Sequence, residues 1–93
     1  MDEKAILDQL EELAQTLSIQ VRYESIEIEG SFYAGDLCRL KGENILIINP
    51  EATIKDKIQI FARAVKRFDL NQVYIRPALR EFLSKKGQEE KER

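Results

Sequence analysis

The chain contains no histidine. That absence removes the commonest metal ligand and the commonest general acid–base group. A Cys/His zinc site cannot be assembled within one copy. Nucleophilic mechanisms in which histidine activates serine or cysteine fall with it. Cysteine is scarce too: Cys38 stands alone, so no disulfide framework supports the fold. Its neighbours Leu37 and Leu40 predict that Cys38 packs in the core as a small hydrophobe. No stretch approaches the ~18–20 apolar residues of a membrane-crossing helix. The start, MDEKAILDQLEEL, lacks the basic end and apolar run of a signal peptide, which points to the cytoplasm. The acidic residues take no calcium-loop spacing. Neither a metal nor a cofactor is expected, and no catalysis.

What remains is ample for one core. Of 93 residues, 43% are hydrophobic and 34% charged, enough for a compact domain with a heavily solvated exterior. We place that domain over residues 1–86, with 87–93 as a mobile charged tail. The net charge of −2 conceals an asymmetry: residues 1–31 carry −6 and residues 32–93 carry +4. From Thr53 to Lys86 the chain holds nine basic side chains against three acidic ones. Two helices with solvated faces of opposite sign account for this, and an anion-attracting second half is the sharper alternative.

Hydrophobic periodicity organises the chain as α-β-β-β-α-α. Ile6, Leu10, Leu13 and Leu17 recur at helical spacing, and Asp2 is suited to cap a helix from Glu3 to Leu17. Alternation in IQVRYE predicts a half-buried strand. The segment SIEIEGSFYAGD either extends it or forms an exposed lip, with Gly30 and Gly35 marking turns or bulges. LCRLK and ILIIN flank a hairpin turn begun by Gly42, and the run Ile45–Ile48 is apolar on both faces, as a central strand requires. Thr53 and Asp56 form a loose capping box before Ile54, Ile58, Phe61, Val65 and Phe68, which predict a helix from Ile54 to Phe68. Pro77 suits the first turn of a third helix and Gly87 its stop. The expected fold class is α+β, with a three-stranded, mainly antiparallel sheet packed on helices.

On the second helix, Asp56, Ile60, Arg63 and Arg67 form a stripe that the 100° step per residue turns outward, Arg63 almost opposite the core. The sequence IFARAVKRF there, following a helix and three strands, resembles the zinc-binding helix of ImmA/IrrE-type minimal zincins. In that family an HExxH motif supplies two zinc ligands and a general base. Here Arg63, Ala64 and Arg67 stand at those positions, so none of the three roles carries over; the apolar frame of Phe61, Val65 and Phe68 matches. The resemblance covers about Ile6 to Phe68. It implies a degenerate, metal-free relative with its second helix across the sheet and Arg63 in a groove. The same element order, with ILDQLEELAQTLSIQVRYE, is similar to a double-stranded-RNA-binding domain. That family's adjacent lysine pair is absent, leaving Lys55 and Lys57 at the start of the second helix.

Three binding roles follow. The leading expectation is a protein-interaction or self-association module, such as a homodimer, using Ile60, Arg63, Arg67, Arg76 and Arg80. The alternative is a nucleic-acid-binding domain with contacts from Lys55, Lys57, Arg63 and Arg67, joined by Arg76 and Arg80. A small-anion site formed by Arg63 and Arg67 is the third. Tyr23, Tyr33 and Tyr74 are candidate stacking platforms, whereas Glu27, Glu29 and Asp36 lack a companion base and define no catalytic pair.

Overall fold

The computed structural model of the chain describes the backbone of residues 2–25, 27–28, 31–32 and 34–91, and the side chains of 2–25 and 34–85. The first helix, α1 (Glu3–Thr16), is capped by Asp2, whose carboxylate accepts the Ala5 N–H at 2.8 Å. It buries Leu10, Leu13 and Ala14. Ser18, at φ 61°, turns the chain directly into β1 (Ile19–Tyr23). Two short strands, β2 (Glu27–Ile28) and β3 (Ser31–Phe32), pair only with each other as a separate antiparallel ribbon. The segment expected to lengthen the first strand or form a lip is therefore its own small element. Gly30 lies outside the described residues.

β4 (Gly35–Leu40) and β5 (Glu43–Ile48) form the hairpin expected around Gly42. Lys41 and Gly42 both have positive φ, at 53° and 82°. A two-residue loop needs that backbone if its twist is to match the strands it joins. The sheet order is β1-β5-β4, so the apolar run at Ile45–Ile48 is the central strand, as its two-sided hydrophobicity requires. Its pairings differ in direction. β5 is antiparallel to β4 but parallel to β1, with Ile19 opposite Asn44 and Tyr23 opposite Ile48. The expected three-stranded sheet is thus a mixed one, with one antiparallel and one parallel pairing. No local signal in β1 announces a partner so distant in sequence.

Asn49, buried at the end of β5, donates its N–H to the Ala34 carbonyl at 2.8 Å, and its side-chain oxygen accepts the Glu51 N–H at 3.0 Å. This turn delivers the chain to Thr53, which caps α2 (Ile54–Val65) by accepting the Asp56 N–H at 3.1 Å. The helix ends three residues before the expected Phe68, where the Arg67 and Phe68 N–H groups reach back only to Ala64 and Val65. α1 covers β1, and α2 lies beside α1 against β5 and β4. One core joins Leu10, Leu46, Ile48, Phe61 and Val65. Leaving aside the ribbon and a single 3-10 turn at Leu70–Gln72, the order is α-β-β-β-α-α, an α+β fold.

The last helix, α3 (Pro77–Lys91), buries Leu79 and Leu83, and Arg76 just ahead of it pairs with Glu12 of α1. It continues through Gly87, the expected stop. One glycine costs a helix about 1 kcal/mol, and its lysine, glutamine and glutamate neighbours are good helix formers.

Two side chains contradict the sequence expectation. Cys38 is exposed, not core. The helices cover one face of the sheet, and Cys38 points with Asp36 and Leu40 to the other. Ile60, expected on the outer stripe and in the interaction surface, is buried at 5% exposure. The sheet and α1 together cover more than half the circumference of α2. The flank carrying Ile60 and Ala64 therefore meets β4.

Candidate interaction groove

Glycine at position 35 builds the most distinctive contact in the fold. A Cβ there would lie 2.4 Å from the Ile47 carbonyl oxygen and 3.2 Å from Ile60 Cδ1. The bare backbone, at φ 155°, lets Ile60 tuck beneath the start of β4. Ile60 then forms the floor of a groove of about 360 Å³. Ala34 and residues Gly35–Leu37 make one wall; Arg63, Ala64 and Arg67 of α2 make the other. Arg63 and Arg67 are exposed, one helical turn apart, and enter no ion pair among the described residues.

The β4 wall is one of the two edge strands of the sheet, paired only with β5 among the described residues. Leu40 and Glu43 close the two-residue loop and are the first hydrogen-bonded pair of the ladder, so the bonded positions of β4 are 36, 38 and 40. The N–H and C=O groups of residues 35, 37 and 39 face away from β5. One of these is occupied from within: the Leu37 N–H donates to Asp36 Oδ1 at 2.8 Å. An edge strand invites pairing with another chain, and a charged side chain folded onto it blunts that tendency.

The remaining sequence candidates are dispersed. Arg76 pairs with Glu12 at 3.4 Å and lines a smaller cleft between α1 and α3 that shares no residue with the groove. Arg80 is exposed on α3 and Lys55 on α2. Lys57 is half-buried, its Nζ 5.7 Å from the centre of the Tyr23 ring. Tyr23 is thereby held between the two helices. Partial burial, the charge of Glu11 and a hydrogen bond to that carboxylate raise its phenol above the ordinary value. Tyr74 is 79% exposed beside the α1–α3 cleft. Glu29 and Tyr33 lie outside the described residues, as does the side chain of Glu27. The proposed interaction set thus splits: Arg63 and Arg67 share a groove, Arg76 lines the other cleft, Arg80 lies beyond the groove and Ile60 is the groove's floor. Sequence pattern missed the β4 wall; Gly35 was its one visible signal.

Among the described residues, no helix is long and apolar enough to cross a membrane, and no three His, Cys, Asp or Glu residues gather where they could hold a metal ion. No protein-family model, curated protein or solved structure matches the chain.

Proposed function

We propose that the chain is a non-catalytic, cytoplasmic interaction domain that binds a protein partner in the groove between β4 and α2. One observation carries this: two arginines with no ion pair among the described residues stand along a groove whose opposite wall is an edge strand with no second strand partner among those residues. Arginine is an effective donor to planar anions, and among the described residues neither guanidinium is taken by an acid. The absence of histidine weighs against a reactive centre. Descent from a zincin, with its zinc-binding positions replaced by Arg63, Ala64 and Arg67, is compatible with this use of the helix. All three residues line the groove.

Affinity capture of the intact chain from cells that produce it, followed by quantitative mass spectrometry, tests the proposal. The variant Arg63→Glu/Arg67→Glu serves as control; both sites are exposed, so the fold survives. A protein retained by the first and lost by the second is the expected result. Equal recovery by both refutes the groove. Retention of nucleic acid instead, with salt-sensitive binding to duplex RNA in an anisotropy titration, moves the function to the basic residues including Lys55 and Lys57.

A further inference from the structure

We infer that β4 is a docking strand for an extended peptide segment bearing a carboxylate, which Arg63 and Arg67 grip, and that Asp36 is the stand-in this segment displaces. The inference rests on the interaction-domain proposal and specifies its ligand. Peptide strands join open sheet edges through main-chain hydrogen bonds, while neighbouring pockets select alternate side chains. All the parts meet at this groove. The outward groups at 35, 37 and 39 offer the backbone ladder. The Ile60 floor and the Ala64 wall beside it accept a small aliphatic side chain. The paired guanidiniums offer charge complementarity to an acid.

Asp36 indicates why the occupant is a peptide rather than a polyphosphate. Its carboxylate already satisfies the outward Leu37 N–H at 2.8 Å, the position an incoming carbonyl oxygen would take. Although its Cβ lies on the far face of the sheet, this hydrogen bond brings the carboxylate to the strand edge beside the groove, where its negative charge repels a continuous phosphate backbone but tolerates one acid seated opposite, against α2. Asp36 thus protects the empty edge and yields when a strand arrives.

The test begins with a displayed library of random octapeptides selected on the intact chain and counter-selected on the Arg63→Glu/Arg67→Glu variant. Enriched peptides are expected to carry Asp or Glu at a recurring position among β-branched residues. The best one should lose about tenfold or more in affinity on Arg63→Gln/Arg67→Gln. It should gain about threefold on Asp36→Ala, which frees an edge donor and removes a like charge. Its binding should also move the Leu37 and Arg39 amide resonances and fail when alternate peptide nitrogens are methylated. Enriched peptides without an acid, or ones indifferent to the arginines, overturn the inference while leaving the interaction domain standing on partner capture. Binding with the Leu37 amide unmoved overturns strand addition. Concentration-dependent dimerisation that shifts the same amides makes the occupant a second copy and also overturns it. An unenriched library does so outright.

Discussion

The two edges of the sheet solve the same problem in opposite ways. At the β1 edge every charged group near the strand has found a local use. Arg22 pairs with Glu24 at 3.7 Å, Tyr23 lies beneath Lys57, and Glu11 of α1 faces the same tyrosine. That edge is tied to both helices. At the β4 edge, Gly35 draws α2 close, yet Arg63 and Arg67 enter no ion pair among the described residues and one outward N–H is satisfied by the next-door Asp36. Both are edge strands; among the described residues the charges beside β1 are paired locally and the arginines beside β4 are not. Surface ion pairs contribute little to folding in either case. The difference lies in what each edge leaves available.

The largest effect should come from filling the β4 edge at its tightest point. Gly35→Ala sets a methyl against the Ile47 carbonyl oxygen and should cost about 3 kcal/mol, read as a lowered urea midpoint. If Gly35→Ala is tolerated, the close approach of α2 to β4 is not what shapes the groove. Next, Tyr23→Ala should loosen the β1 edge by about 1.5 kcal/mol, through lost packing and the lost cation–ring contact. Arg63→Gln/Arg67→Gln should do the reverse, raising stability by about 0.3 kcal/mol because like charges one turn apart repel. A loss of stability there would mean that the arginines serve the fold and not a ligand. The smallest effect is a pH dependence. The folded chain holds the Tyr23 proton more tightly than the unfolded chain, since its phenol is raised. That contribution is complete below the ordinary value of about 10 and disappears as pH climbs through the raised one. Tyr23→Phe should therefore flatten part of the stability loss that sets in above about pH 10.

Local chemistry made the helices legible. Asp2 and Thr53 cap where capping residues are expected, and the Leu10–Leu13 and Ile58–Phe61–Val65 stripes are buried. β5 was legible as central because an apolar run on both faces has nowhere else to go. The misplacements share one cause. A helical wheel assumes a single buried face, but α2 is covered by α1 and by the sheet, so Ile60 looked external while facing β4. Cys38 looked internal because its apolar neighbours Leu37 and Leu40 do not reveal that helices cover only one side of the sheet. The arginines were visible as a pair in the sequence. The groove they line was not, because its other wall comes from residues whose only common mark is proximity to Gly35.

The parallel union of β1 with β5 also sets an order of events during synthesis. β4 and β5 are neighbours joined by two residues and meet as soon as both exist. β1 is made earlier, but its register partners Asn44 to Ile48 emerge only after the ribbon and β4 have been completed. Through that interval Ile19 and Val21 lack the central strand they will join, and α1, made just before them, is the helix that packs on β1 in the finished fold. Long-range parallel pairing is slow because the loop must close before any contact repays it.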